Sequence, residues 1–180
     1  MRKNIEIIFV VFVSVVIVLI YLVLCFGAYM YPLKYKNYII NYAEQYNVDC
    51  VLVASVINVE SGFDKNAVSP KGAKGLMQIT DKTAIWLCEK LKQDYDPQKL
   101  FDAEFNIKLG VYYMSYLLEK FDDVNTALAS YNAGEGIVKV WLQNKSYSLD
   151  GKKLDNIPYK ETDEYIKKVQ TNLKRYQKRL

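Results

Sequence analysis

The residues able to move protons near neutral pH are limited by an absence, since the 180-residue sequence contains no histidine. Ser-His-Asp and Cys-His nucleophile systems are thereby excluded, and a zinc site would need an unusual all-cysteine or carboxylate set. Acid–base chemistry must come from a carboxyl, tyrosine, lysine or cysteine with a shifted pKa. Cys25, Cys50 and Cys88 have no CxxC spacing, so neither a metal, a redox motif nor a cofactor is indicated. Cys50 and Cys88 read as free, partly buried thiols, with a disulfide between them as the alternative.

Among the carboxyls, Glu60 is distinctive. It ends the most apolar helical stretch of the soluble region, Val51-Leu52-Val53-Ala54-Ser55-Val56-Ile57, and at helical spacing its neighbours are Val53, Val56 and Ile57. Gly62 is suited to the left-handed position that closes such a helix. Burial and the negative end of the helix dipole both raise a carboxyl pKa there, which keeps a general acid protonated. The competing reading of the helix alone is a glutamate that bends out to water at a frayed end.

The elements that position Glu60 follow a 3.6-residue period from Lys34 onward. The pattern predicts helices over Lys34–Tyr46, from an Asp49 cap to Glu60, from Thr80 or Asp81 to Leu91, and from Asp102 to Phe121. Further helices are expected over Asp123–Tyr131 and Glu135–Gln143 and from Thr162 onward. The expected fold class is therefore all-α, with at most a small hairpin around Lys74–Thr80 or about Asp150-Gly151.

Four blocks in order resemble one family. They are Glu60-Ser61-Gly62-Phe63 with Ser69–Gln78, then Asn106–Tyr113, then Ser130-Tyr131-Asn132-Ala133-Gly134, and Ile157–Thr162 with Tyr165. Together they resemble the catalytic region of soluble lytic transglycosylases, the lysozyme-like glycoside hydrolase family 23. The resemblance implies a lysozyme-like α fold with a glycan groove. It also implies cleavage of the β-1,4 bond between N-acetylmuramic acid and N-acetylglucosamine, leaving 1,6-anhydro ends. Glu60 would be the catalytic acid, with Gln78, Ser61 and Ser69 as polar groups toward the sugar. Met77 is either core or ligand contact, and Gly75 allows a turn or close backbone approach. Tyr131 would orient Glu60 or the substrate, Asn132 would shape the helix junction, and Glu161 and Tyr165 would line the groove or support the fold. Departures from the pattern are Thr80-Asp81 in place of methionine-proline, Ser130 in place of alanine, and Asp163 in place of arginine. Thr80 stands where sugar contacts would change.

Three other readings stay open. A hydrolytic muramidase would share Glu60, and a well-placed second carboxylate, for which Asp64 and Asp81 are nearest in sequence, would favour it. A non-catalytic peptidoglycan-binding module would belong to a secretion or spore assembly and work with partner proteins of the wall or secretion machinery. A chitin-cleaving relative is a third, weaker option.

Ile7–Phe26 forms a 20-residue apolar run, long enough as a helix to span roughly 30 Å of hydrocarbon. Arg2 and Lys3 precede it, which puts the N-terminus in the cytoplasm and the remainder outside. The expected organisation is a cytoplasmic N-terminus and membrane anchor over 1–27, a linker over 28–34 and a catalytic domain over 35–180, held at the cell membrane. Cleavage as a signal peptide, giving a secreted form, is the alternative. The formal charge of +4, with basic residues gathered near the C-terminus, fits a solvated helix face rather than nucleic-acid binding.

Overall fold

A computed structural model describes residues 2–180 and, within the first helix, the side chains of residues 7, 12–23, 25 and 27 alone. The chain divides into a unit ending at Pro32 and a second unit, Leu33–Leu180. The first is helix α1, Arg2–Met30, whose described apolar side chains are exposed: Phe12, Ile17, Tyr21 and Val23 are each at least 60% accessible. Among the described residues no helix is long and apolar enough to cross a membrane. Part of the anchor expected over Ile7–Phe26 lies outside the described side chains.

The second unit is helical: α2 Lys36–Gln45, α3 Cys50–Ser61, α4 Asp81–Lys90, a 3₁₀ turn Pro97–Phe101, α5 Ala103–Phe121, α6 Val124–Ala133, α7 Glu135–Leu142 and α8 Lys160–Tyr176. Short polar side chains start most of them. Asp49, Thr80, Asp102 and Asp123 each accept a hydrogen bond from a first-turn backbone N–H, satisfying groups the helix leaves open. Helix α2 begins two residues later than the periodicity predicts, because Tyr35 takes a left-handed conformation at φ 58°. The 3₁₀ turn was not expected; Pro97 and the Asp96 cap on Gln98 N–H set it up.

Neither expected hairpin forms a strand among the described residues. Around Lys74–Thr80 only isolated bridges join Val68 to Lys74 and Lys74 to Ile79. Left-handed backbone at Gly75 (φ 76°) and Gln78 (φ 49°) curls the intervening chain too tightly to extend the ladder. At Asp150-Gly151 the Asp150 carboxylate accepts from the N–H groups of Lys152 and Lys153, which takes the donors a second strand would need.

Helix α3 is the centre of the core. Val53, Ala54, Val56 and Ile57 are fully buried, and each large aliphatic side chain so placed contributes about 1.5–3 kcal/mol. Its most extensive packing is against α8, and a polar staple fixes the register of the two. Asn172 Nδ2 donates to Asn58 Oδ1 at 2.8 Å, and the buried Ser55 hydroxyl is satisfied by Val51 O at 2.7 Å. That register sets what α8 presents to the last turn of α3, where Glu60 sits. Cys50 and Cys88 are free thiols, Cys88 buried and Cys50 half-buried.

Candidate active site

Helix α3 stops at Gly62, whose φ of 59° places it in the left-handed region and whose N–H closes on Asn58 O. Glu60 is thus held in the final turn, half-buried, at the meeting point of two clefts. The first, of about 470 Å³, is bordered by Glu60, Ser69, Gln78, Tyr113, Tyr131 and Asn132, with Lys71, Thr80, Thr83 and Glu161 at its edges. The second, of about 510 Å³, lies between α3 and α8 and also has Glu60, Asn132 and Glu161 in its wall, joined by Tyr165 and Lys168. Glu60, Asn132 and Glu161 are thus common to the walls of both clefts.

Burial pushes the Glu60 pKa up from an ordinary 4.5 to about 7, and the Tyr165 hydroxyl acts in the opposite direction. The contact between them is looser than a full hydrogen bond, and the buried Tyr165 hydroxyl finds no other partner among the described residues. Nothing cationic is among the influences on Glu60, so its proton is retained near neutrality.

A buried amide that is marked in the sequence only as part of a motif fastens the loop between α3 and α4. Asn106 is fully buried. Its Oδ1 accepts from Met77 N–H at 2.8 Å, and its Nδ2 donates to Lys74 O and Leu100 O at 3.0 and 2.9 Å. A side chain at Gly75 would collide with this amide and with the Leu100 carbonyl, so Gly75 serves the staple rather than the cleft. Met77 is fully buried with its sulfur against Gly110, and a side chain at Gly110 would displace it. Ser61 likewise turns inward, donating to Leu76 O at 2.8 Å.

The remaining expected residues do meet at the cleft. Gln78 Nε2 donates to Gly75 O and Ala67 O, which leaves its Oε1 for a ligand. The Ser69 oxygen accepts from Ala73 N–H at 3.0 Å, so its hydroxyl proton is still available. Tyr131 donates to Met77 O at 2.8 Å, so its ring forms the wall while its hydroxyl fastens the loop rather than Glu60. Asn132 Oδ1 accepts from Thr162 Oγ1 at 2.8 Å, tying α6 to α8 and leaving its amide nitrogen toward both clefts. Glu161 reaches Lys71 at 3.5 Å across the first cleft, both side chains being at least 75% exposed. Tyr113 and Thr83 line the first cleft without having been expected there; their spacing from Tyr116 and Thr80 on one helix face was the available signal.

Among the described residues no group of acidic, cysteine or histidine side chains could hold a metal. Asp64 and Asp81 border neither cleft. Asp64 accepts from Asn66 N–H in a turn, and Asp81 is engaged by Lys74 and Tyr95, which lower its pKa. The carboxylate in both cleft walls besides Glu60 is Glu161.

A family profile described as the transglycosylase SLT domain matches residues 37–154. The soluble lytic murein transglycosylase of Salmonella typhimurium is 33% identical over 143 residues, covering 77% of this chain and 22% of that protein. The membrane-bound lytic murein transglycosylase F of Desulfosudis oleivorans is 37% identical over 113 residues, 59% of this chain and 23% of the relative. The crystal structure of the 70 kDa soluble lytic transglycosylase of Escherichia coli superposes with a TM-score of 0.72 at 28% identity, over 82% of this chain and 24% of that one. The chain thus spans between a fifth and a quarter of the length of these proteins.

Proposed function

Because the chain belongs to the transglycosylase SLT domain family, we propose that it is a peptidoglycan lytic transglycosylase with Glu60 as its single catalytic carboxyl group. The observation that carries this reading is Glu60 itself, in the walls of two clefts and with its pKa pushed up to about 7 by burial. The names of the relatives support the substrate, since they are murein transglycosylases.

In the proposed reaction Glu60 gives its proton to the glycosidic oxygen as the bond to C1 of the muramic sugar breaks. The sugar's own N-acetyl group stabilises the cation left at C1. Glu60, now a carboxylate, removes the proton of the C6 hydroxyl, and that oxygen closes on C1 to give the 1,6-anhydro product. The nucleophile is tethered to the electrophile, so effective concentration replaces a bound water. Gln78 Oε1, the Ser69 hydroxyl and the Asn132 amide would hold the glycan, and Tyr165 would stabilise Glu60 in its carboxylate phase.

One observation bears on the hydrolytic alternative. A muramidase of this fold would need a second carboxylate to hold a water. Asp64 and Asp81 are occupied away from the clefts, which leaves Glu161, paired with Lys71, and Glu164, paired with Lys160. The test is mass spectrometry of the fragments that the full chain releases from purified peptidoglycan. Anhydro-muramic ends, absent with Glu60→Gln, are expected. Reducing ends would make the protein a hydrolase, and no fragments from well-folded protein would leave a binding module.

Anchoring at the membrane with the catalytic unit outside belongs to the same proposal. Its support is the apolar Ile7–Phe26 run behind Arg2 and Lys3, together with a 29-residue α1, roughly 43 Å long at 1.5 Å per residue. Carbonate extraction of membranes from producing cells tests it; release of the chain into the soluble fraction would refute it.

A further inference from the structure

The floor of the first cleft does not end at its wall. Tyr131, beside Glu60, packs against Tyr113 with ring centroids 5.3 Å apart. Tyr113 stacks nearly parallel on Tyr116 at 6.4 Å, and both meet Trp86 edge-on, at 6.1 and 5.1 Å. Helical spacing builds this run. Thr80, Thr83, Trp86 and Lys90 follow one face of α4 from its N-cap, and Tyr113, Tyr116 and Lys120 follow one face of α5. Thr80, Thr83 and Tyr113 line the cleft, so Trp86 and Tyr116 stand one helical turn beyond it.

These outer rings are half-buried and carry cations. Lys90 Nζ lies 6.0 Å from the Trp86 ring centre, and Lys120 Nζ lies 5.0 Å from that of Tyr116. Lys120 is fixed in place, since it contacts Glu135 at 2.7 Å and donates to the Tyr116 hydroxyl, which itself donates to Glu135 at 3.0 Å. The result is an aromatic surface with a lysine ammonium over each outer ring, that of Lys120 held by Glu135. A pyranose ring has partners for both features: its C–H face packs on an aromatic ring, and its hydroxyls hydrogen-bond to the ammonium and carboxylate groups around it.

We propose that the Trp86–Tyr116 shelf is a distal sugar site, seating a residue of the glycan strand beyond those held around Glu60, and that it makes the protein favour long strands over short ones. This rests on the reading of the protein as glycan-cleaving, and the experiment separates the two. The sequence has two tryptophans, Trp86 and Trp141. Trp141 is 6% exposed and packed on Tyr159, so Trp141→Phe leaves Trp86 as the sole indole reporter.

The full chain carrying Trp141→Phe and Glu60→Gln, in detergent, is titrated with peptide-free glycan strands of about four and about eight sugars, followed by fluorescence and calorimetry. The longer strand is expected to blue-shift Trp86 emission and to bind about tenfold tighter than the shorter. Adding Trp86→Ala should bring the long strand to the affinity of the short one, and Trp86→Phe should retain part of the difference. Equal affinities at both lengths with unmoved Trp86 emission would overturn the distal site while leaving the catalytic reading intact. A shift that needs attached stem peptides at either length would overturn the assignment to a sugar. No binding at either length, with no fragments released by the wild-type chain, would overturn both readings.

Discussion

Two glutamates border the aromatic floor of the cleft, each half-buried, and their surroundings drive them apart. Around Glu60 the dominant influence is burial, with a tyrosine hydroxyl as the counterweight, and the pKa rises to about 7. Around Glu135 burial also pushes upward, but contacts from Lys120, Lys139 and the Tyr116 hydroxyl outweigh it and hold the pKa down to about 2. Loss of water is common to both. What separates a proton donor from a fixed anion here is whether cations stand within hydrogen-bond reach. Glu135 sits at the first position of α7, where the helix dipole favours the charge, whereas Glu60 sits at the end of α3, where it opposes it.

The largest expected consequence is catalytic. Glu60→Gln should lower fragment release from peptidoglycan by about 10³-fold or more, because no other carboxyl in the clefts has this environment. In the wild type, kcat/KM should fall as pH rises through about 7, where Glu60 loses the proton it must donate. A rate that stays flat to well above that pH would remove Glu60 from the role of acid.

The same substitution should have the opposite effect on stability. Below pH 4.5 Glu60 is neutral in folded and unfolded chains alike, so the wild type loses nothing there. Between 4.5 and 7 the unfolded chain ionises while the folded one resists, and stability falls with rising pH until both are charged. Glu60→Gln escapes this loss, and above pH 7 it should exceed the wild type by up to about 3 kcal/mol. Urea unfolding of the two full chains at about pH 4.5 and pH 8.5 reads the difference; an equal gap at both would mean the carboxyl is not strained by burial.

Glu135 reverses the window. Its lowered pKa contributes stability that is complete above 4.5 and disappears as pH falls toward 2. Lys139 is 53% exposed and Lys120 29%, so solvent screens the pair, and Glu135→Gln is expected to cost only about 1–2 kcal/mol near neutrality. Most of that cost should be lost by about pH 2.5 in the same unfolding assay. A cost unchanged by acid would assign the residue to packing instead of charge.

The contrast between the two glutamates was half legible in the sequence. Glu60 at the end of an apolar helix, stopped by Gly62, is a local pattern, and so are the aspartate caps and the helical period that gave the fold class. Glu135 showed only Lys139 four residues on, because Lys120 and Tyr116 reach it from another helix. Long-range fastening also escaped: Asn106 joins three backbone groups of the loop and the 3₁₀ turn, and nothing in its immediate sequence says so. Gly75, Met77 and Ser61 belong to the right motif but face inward, since a motif marks a region and side-chain direction depends on partners far along the chain. Tyr165 was legible as a cleft residue only through resemblance; its approach to Glu60 depends on the α3–α8 register that Asn172 and Asn58 set.

The smallest expected effect is the finest test of the comparison. Tyr165 supplies the one influence that lowers the Glu60 pKa, and its hydroxyl has no full hydrogen bond to lose. Tyr165→Phe should therefore leave stability within about 0.5 kcal/mol of the wild type, since no buried partner is orphaned. The alkaline limb of kcat/KM should move upward by less than about one pH unit, because Glu60 then holds its proton more tightly. The rate on the plateau should fall a few-fold, as the carboxylate that must take the C6 proton loses its donor. A limb that moves downward would mean that the hydroxyl accepts from protonated Glu60 rather than donating to its carboxylate. In that case Tyr165 would help to hold the acid ready instead of supporting the base that follows.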